Sequence, residues 1–327
     1  MKLKIAALLM CLILLFSGCR KPDKEPEVRI AFFPNITHAQ ALVMKSTGSL
    51  EDRLGEDCKV EWISFNAGPA VIEAMFAGEI DIAYIGPVPA INAYVKSNGD
   101  VRVIAGAANG GAVLVASPES GITSVADLSG KTVSIPQLGN TQHLQLLMLL
   151  SVNGLEPTNE GGTVNVTAVA NADVQNLMDQ GEIDAALVPE PWGSLLESNC
   201  GARTILDADQ LWNDGDYSVT VVLVRKDFLD ESPELVEQFL SEHHAVSLYI
   251  NANPDESKTM INEQIALLTQ KEIPVDVLDK AFSRITVTDI VPEKSIEEYA
   301  ILSVEGGFIE SLPDGKMIDT TILERVS

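Results

Sequence analysis

The 327-residue sequence predicts an α/β fold made of two similar lobes. The main observation is a repeat, because the segment Gly78–Ala83 recurs with one substitution 103 residues later as Gly181–Ala186. Each copy follows a short helical pattern and leads into a proline-containing loop. Strand-like and helix-like segments also alternate along the chain, as in α/β folds with mostly parallel sheets. A supersecondary unit repeated about a hundred residues apart indicates two lobes with a cleft between them.

The first lobe opens with alternating strands and helices. Pro69 stands just inside a predicted helix start and Gly78 just past its end, as helix-boundary preferences require. The predicted strands of this lobe are Val28–Phe33, Lys59–Phe65, Ile80–Ile85 and Arg102–Gly106. Its predicted helices are 37–45, Pro69–Ala77 and Val88–Lys96.

The second lobe repeats this plan after the strand Ala112–Ser117. Its predicted strands are Lys131–Ile135, Val164–Val169 and Asp184–Val188. Its predicted helices are Thr141–Ser151, Ala172–Gln180 and Pro191–Ser198.

A second crossing between the lobes is predicted at Tyr217–Arg225, an apolar and β-branched run typical of a strand buried on both faces. The chain after about Asp227 has a helical pattern and is expected to return to cover the first lobe. We therefore expect lobe 1 to comprise 28–113 and 219–327, and lobe 2 to comprise 114–218.

The N-terminus has the pattern of an export signal. Lys2 and Lys4 precede an apolar run, Ile5–Phe16, which is shorter than the roughly 20 residues needed to span a membrane. The ending 15–19 resembles the lipobox of bacterial lipoproteins, in which the cysteine, here Cys19, is acylated. We expect a signal peptide at 1–18 and a lipidated, charged tether at 19–27. An ordinary secretory signal that ends near a cysteine is the alternative.

Composition excludes some classes of partner. Removal of 1–18 leaves 20 basic and 47 acidic residues, a formal charge of −27, which argues against nucleic acid and against adsorption on anionic lipid. Cys58 and Cys200 fall in different lobes, so we expect free thiols. The cysteine and histidine spacings match no metal motif, and we expect no metal and no cofactor.

Five loops follow the carboxyl ends of predicted strands, where open parallel sheets bind ligands. They are Pro34–His38, Asn66–Pro69, Ile85–Val88, Gln137–His143 and Val188–Trp192. None contains lysine or arginine, and they are rich in Asn, Thr, Gly and Pro. Helix starts in such loops offer unpaired N–H groups and a positive dipole end, which together hold small anions.

The best paired candidates are Asn35 and Thr37 in one lobe and Asn140 and Thr141 in the other, although Asn and Thr before helices are also ordinary N-caps. Glu190 is the only acid in the five loops, and it either pairs with an ammonium group or has a structural role. The predicted ligand-binding residues are Asn35, Thr37, His38, Asn66, Gly68, Gly86, Pro87, Gly139, Asn140, Thr141, Gln142, Glu190, Trp192 and Tyr217. Nucleophile-elbow, Walker and dinucleotide motifs are missing from the sequence, so we expect no catalytic residue and no enzyme.

Several of these motifs resemble a known family. Segments 33–39, 65–69 and 78–87 resemble the substrate-binding proteins of ATP-binding-cassette (ABC) importers. The nearest group is the aliphatic sulfonate, taurine and nitrate binders, which are related to thiamine-pyrimidine binders. The segments 139–143 and 189–192 are similar to that group's hydroxyl-bearing and acid-proline loops. One departure is Asn140-Thr141, where sulfonate binders often carry consecutive serines.

The resemblance implies a periplasmic-binding-protein fold, with two α/β lobes joined by two crossover strands. It implies an exported, monomeric receptor anchored to the outer face of the cell membrane, at the cell surface or in the periplasm. Such a receptor captures a small, sulfonate-like organic anion and delivers it to an ABC permease with its ATPase. The alternatives are a binder of nitrate or of a thiamine-precursor heterocycle, or an enzyme or a sensor on the same fold.

Overall fold

A computed structural model describes residues 26–327 of the chain. The expected signal peptide, Cys19 and the tether up to Glu25 lie outside the described residues. The eleven strands are β1 (Glu27–Phe32), β2 (Lys59–Ser64), β3 (Ile82–Ile85), β4 (Val101–Gly110), β5 (Ala112–Ala116), β6 (Thr132–Ile135), β7 (Asn165–Ala168), β8 (Ala185–Pro189), β9 (Arg203–Leu206), β10 (Ser218–Arg225) and β11 (Ile285–Val287).

Fourteen α-helices lie within the described residues. They are α1 (Ala39–Thr47), α2 (Ser49–Leu54), α3 (Gly68–Phe76), α4 (Pro87–Lys96), α5 (Thr141–Val152), α6 (Val174–Asp179), α7 (Trp192–Cys200), α8 (Ala208–Leu211), α9 (Lys226–Glu231), α10 (Pro233–Ala252), α11 (Pro254–Thr269), α12 (Val275–Phe282), α13 (Glu293–Glu305) and α14 (Leu323–Val326). Within this range, no helix combines the length and the apolar character that crossing a membrane requires.

The strands form two sheets, which confirms the predicted α/β architecture. The first sheet has the order β11-β4-β10-β3-β1-β2 and the second has the order β7-β6-β8-β5-β9. The prediction of mostly parallel sheets is wrong. Only β1 with β2 and β3, and β6 with β7 and β8, are parallel, whereas the other pairs are antiparallel. The reason is that β10 and β5 enter each sheet from the opposite half of the chain.

The two sheets repeat one topology, as the duplicated segment predicts. In the first sheet β2, β1 and β3 are parallel and β10 runs antiparallel beside β3. In the second sheet β7, β6 and β8 are parallel and β5 runs antiparallel beside β8.

The repeated Gly-Glu-Ile-Asp segment has a structural role in both copies. Its glycines, Gly78 and Gly181, both have φ of 74°, the left-handed conformation that ends a helix at low cost. One carboxylate oxygen of Asp81 accepts the backbone N–H of Arg29 at 2.9 Å. The equivalent oxygen of Asp184 accepts the backbone N–H of Thr132 at 2.8 Å. Each aspartate therefore ties the start of its strand to the start of the first parallel strand of the same sheet.

The chain passes between the sheets at two places. It leaves the first sheet between β4 and β5, through Gly110 and Gly111, whose φ values of 71° and 78° favour glycine. It returns between β9 and β10.

The tail only partly matches the helical pattern expected for it. Helices α10 and α11 pack on α1. However, β11 adds an edge strand to the first sheet, and α12 packs against α7 of the second half. The prediction that the whole tail is helical is therefore wrong, because it contains β11. The tail covers the first half as expected, and it also reaches across to the second half.

Candidate anion-binding cleft

A small cavity lies between the two sheets, at the ends of the strands. All five loops predicted to meet there contribute to its wall. Its lining residues are Phe33, Asn35, Thr37, His38, Asn66, Ala67, Gly68, Gly86, Pro89, Pro136, Asn140, Thr141, Gln142, Asn171, Pro189, Val219 and Thr220. The cavity measures about 30 Å³, and one water needs roughly 10–15 Å³. It therefore accommodates a group of only a few non-hydrogen atoms.

The wall contributed by the first half begins directly after β1. A 3₁₀ turn at Ile36–His38 replaces the predicted start of the helix, which begins at Ala39. The backbone N–H of His38 bonds the carbonyl oxygen of Asn35 at 3.0 Å. The Nδ1 atom of His38 accepts the backbone N–H of Phe33 at 3.2 Å. Because a backbone N–H can only donate, Nδ1 carries no proton and the proton of the neutral ring lies on Nε2.

The second half repeats this arrangement at the start of α5. The Oδ1 atom of Asn140 caps the helix by accepting the backbone N–H of His143 at 2.8 Å. The Nδ1 atom of His143 accepts the backbone N–H of Gly139 at 3.1 Å. Asn140 is therefore an N-cap that also lines the cavity, and its role in ligand binding stays a prediction.

Two further helix starts complete the wall, at α3 and α4. Their N-caps are Ala67 and Gly86, and neither makes a side-chain capping bond. Gly86 allows Thr141 of the other half to come close, since a Cβ atom at Gly86 would overlap the Thr141 hydroxyl. The cavity is therefore narrow because a glycine on one side faces a hydroxyl on the other.

Five predicted site residues lie outside the lining of the cavity. They are Pro87, Gly139, Glu190, Trp192 and Tyr217. The indole N–H of Trp192 bonds Oδ1 of Asn35 at 2.7 Å, which links the two halves behind the cavity wall. The hydroxyl of Tyr217 lies 3.4 Å from the carbonyl oxygen of Ala112, beside the crossing strands.

Glu190 belongs to a buried ion cluster that the sequence did not reveal. Its side chain is 0% exposed and its Oε1 atom lies 2.6 Å from Nη1 of Arg284. Arg284 also contacts Glu197 at 3.1 Å and Asp207 at 2.8 Å. Burial raises the pKa of Glu190 and contact with Arg284 opposes that shift. The acid therefore has a structural partner, and that partner comes from the tail, immediately before β11.

The structure adds cavity residues that were not among the predicted site residues. These are Phe33, Ala67, Pro89, Pro136, Asn171, Pro189, Val219 and Thr220. Thr220 is 1% exposed, and its hydroxyl has no hydrogen-bond partner within residues 26–327. The available signal for it was a polar residue within the mostly apolar run of β10.

The cavity lining contains no Lys, Arg, Asp or Glu. Burial lowers the pKa of His38 to about 3, so its ring is neutral at physiological pH. No group of three or more His, Cys, Asp or Glu residues in the described part of the chain is arranged to hold a metal ion. The cavity can therefore offer hydrogen bonds and helix dipoles to a ligand, but no formal charge.

We expect acid to destabilise the fold through two buried imidazoles, His38 and His243. Burial lowers the pKa of His243 to about 4, and the ring bonds Tyr84 and the carbonyl oxygen of Gly106. Since both folded-state pKa values lie below the usual 6.5, the unfolded chain binds more protons between those values. The contribution of the neutral imidazoles to the free energy of unfolding is thus fully present above about pH 6.5. It is lost as the pH drops towards the folded-state pKa values, by about 1.4 kcal/mol per histidine and pH unit.

Urea unfolding between about pH 7 and pH 5.5 tests this, because carboxylates titrate mostly below that window. His243→Gln should lower stability at pH 7 but reduce the loss on acidification by about 1 kcal/mol. An unchanged pH dependence in this variant would contradict the assignment.

Comparisons with known proteins agree with this architecture. The sequence model described as the NMT1-like family matches residues 21–265. The taurine-binding periplasmic protein of Escherichia coli K12 is 30% identical over 60% of this chain and 59% of its own length. An aliphatic sulfonates-binding protein of the same organism is 31% identical over 54% of each chain. The chain thus matches between half and two thirds of the length of these two relatives.

A solved structure shows the same fold over nearly its full length. It is the alkanesulfonate-binding protein SsuA from Xanthomonas axonopodis pv. citri bound to MOPS, which superposes with a TM-score of 0.74 at 20% identity. The superposition covers 90% of this chain and 99% of that one. The predicted periplasmic-binding-protein fold is confirmed.

Proposed function

This chain belongs to the NMT1-like family, and we propose that it is the solute-binding protein of an ABC importer. It captures a small organic anion, an aliphatic sulfonate, between its two halves and delivers it to a membrane permease. The observation that carries this proposal is the cavity itself, in which helix starts from both halves face one another without any charged side chain.

Uncharged donors suffice for a small anion. Each helix start carries roughly half a positive charge and free N–H groups. The starts of α3 and α4 in the first half and of α5 in the second half contribute residues to the cavity wall. Exclusion of water as the halves close on a ligand would strengthen these interactions. The names of the two E. coli relatives support a sulfonate as the anion.

Capture requires that the lobes close on the ligand. We propose lobes at 28–113 with 219–327 and at 114–218, which rotate about the crossings at β4–β5 and β9–β10. Contacts between the halves at the cavity, such as Asn35 with Trp192, form on closure. A ligand that binds only the closed form shifts the population towards it.

Delivery requires partners and a location outside the cytoplasm. We propose that the closed form docks on a permease, whose ATPase supplies the energy for import. The relatives' names support an exported protein. Cys19, in its lipobox-like context, is proposed to carry the lipid that anchors a monomeric receptor to the outer face of the membrane.

Calorimetric titration of the purified chain tests the function. Taurine and short alkanesulfonates should bind with one-to-one stoichiometry and micromolar or tighter dissociation constants, whereas alkylammonium analogues of equal size should not bind. Nitrate and thiamine-pyrimidine precursors complete the panel. Absence of micromolar binding by every anion would overturn the proposal, and turnover of any of them would favour an enzyme.

Nitrate is the second candidate, and the size of the cavity favours it over a heterocycle. A planar ion of four non-hydrogen atoms matches about 30 Å³ better than a heterocycle does. Stacking of a heterocycle on Trp192 is also disfavoured, because the indole is 3% exposed and its N–H is bonded to Asn35.

A further inference from the structure

The orientation of the Asn35 amide follows from its partner. An indole N–H can only donate, so the atom of Asn35 that lies 2.7 Å from Trp192 Nε1 is the oxygen. One lone pair of this amide oxygen is therefore engaged within the protein. Asn35 is 4% exposed and lines the cavity, and its free Nδ2 group can donate to a ligand.

The tautomer of the His38 ring also follows from its partner. Its Nδ1 acceptor is occupied by the backbone N–H of Phe33. The remaining ring nitrogen, Nε2, carries the proton and is a donor. His38 is 2% exposed and lines the cavity.

A short relay of hydrogen bonds fixes Gln142 as well. The oxygen of Asn140 accepts the backbone N–H of His143, so the other end of that amide is the Nδ2 donor. This donor lies 3.1 Å from Oε1 of Gln142 and occupies that acceptor. Gln142, 6% exposed, is left with its Nε2 donor.

Three side chains around one cavity thus have a free donor, while the acceptor atom of each already takes one hydrogen bond from the protein. Within residues 26–327, no protein group accepts a hydrogen bond from these three donors. The hydroxyls of Thr37, Thr141 and Thr220 can also turn to donate. Asn66 and Asn171 are the amides in the wall whose side chains make no hydrogen bond within the described part of the chain, so either end of each amide can face a ligand.

We infer that this cleft selects oxyanions that carry no proton and discriminates against protonated ones. A sulfonate or nitrate accepts hydrogen bonds at every oxygen. A monoprotonated phosphonate or phosphate also has an O–H group, which the free donors of Asn35, His38 and Gln142 cannot pair. This inference rests on the proposed function, and it adds a rule about the ligand's protonation state set by Asn35, His38 and Gln142.

An isosteric pair of ligands tests the rule, ethanesulfonate against ethylphosphonate, by calorimetry from about pH 5.5 to 9. The neighbouring imidazoles, His38 and His143, have pKa values of about 3 and about 4 and stay neutral throughout. Ethanesulfonate should bind with constant affinity. Monoprotonated ethylphosphonate should bind at least about 10-fold more weakly than ethanesulfonate, and the gap should narrow as it loses its proton.

The variant Asn35→Asp replaces the free donor by an acceptor of the same shape. It should weaken ethanesulfonate binding by about 100-fold and bring the ratio of the two dissociation constants at about pH 6 close to one or invert it. Gln142→Glu should shift the ratio in the same direction, so the test does not depend on one variant's folding. Asn176→Asp adds the same charge at an exposed helix position and should leave the ratio unchanged.

The possible outcomes distinguish the protonation rule from the proposed anion-binding function. Equal binding of ethanesulfonate and monoprotonated ethylphosphonate by the wild type would overturn the protonation rule and leave the anion-binding function standing. An unchanged ratio in both Asn35→Asp and Gln142→Glu would also overturn the rule. Absence of ethanesulfonate binding would overturn the proposed sulfonate ligand and this inference with it.

Discussion

Replacing Arg284 by methionine should lower the free energy of unfolding by about 3 to 5 kcal/mol. The change removes the cation that touches Glu190, whose side chain is 0% exposed, and also the partner of Glu197 and Asp207. Glu190 would keep only its bonds from the backbone N–H and the hydroxyl of Ser194. Chemical denaturation at neutral pH measures the loss.

The pH dependence and a double variant identify the cause of this loss. Without Arg284, no cation opposes the increase that burial causes in the pKa of Glu190. Its folded-state pKa then lies further above the unfolded-state pKa. The loss of unfolding free energy relative to the wild type should therefore shrink as the pH falls towards the unfolded-state pKa. Adding Glu190→Gln should restore part of the stability. Arg325→Met, at a pair whose side chains are 63% and 52% exposed, should cost less than about 1 kcal/mol. A similarly small loss for Arg284→Met would show that the cluster is not essential.

Replacing Gly86 by alanine should weaken ligand binding by about 10- to 100-fold with little change in stability. The new Cβ atom would overlap the hydroxyl of Thr141 across the cavity. The backbone at Gly86 has φ −66° and ψ 150°, which alanine adopts freely. Because the lobes can relieve the overlap by opening, the unliganded protein should change by less than about 1 kcal/mol in unfolding free energy.

A double-mutant cycle shows whether the overlap is responsible. Thr141→Ala removes the hydroxyl, and the Cβ at position 86 then faces the Cβ of residue 141 at 3.4 Å. The double variant should therefore bind no more weakly than Thr141→Ala alone. Gly315→Ala, at an exposed glycine with open space around it, is the matched control. If the two substitutions weaken binding additively, the proposed contact across the cleft is wrong.

The duplicated plan was predictable from sequence because the features that build it are local. A left-handed glycine after a helix and a buried strand beyond it leave the same signature in both copies, at Gly78 and Gly181. The loops at the strand ends were predictable for the same reason, since parallel strands of one sheet end at one edge. Nine of the fourteen predicted site residues line the cavity, and each of them lies in one of these loops.

The remaining features depend on contacts between distant parts of the chain. Arg284 lies 94 residues beyond Glu190 and sits in a segment that looked like part of a helical tail. Trp192 was a candidate stacking surface, but its bond to Asn35 spans 157 residues. Local sequence patterns do not encode which side chains meet across such long separations in the sequence. The reversed direction of β5 and β10, which made the sheets mixed, has the same origin.

In the proposed binding mode, donors from both halves hold the ligand's negative charge without any cationic side chain. A crystal structure of the protein with ethanesulfonate tests it most directly. Sulfonate oxygens should lie within about 3.2 Å of Asn35 Nδ2, His38 Nε2 and Gln142 Nε2 at the same time. A sulfonate bound elsewhere, or one held in the cleft by a lysine or arginine side chain, would contradict it.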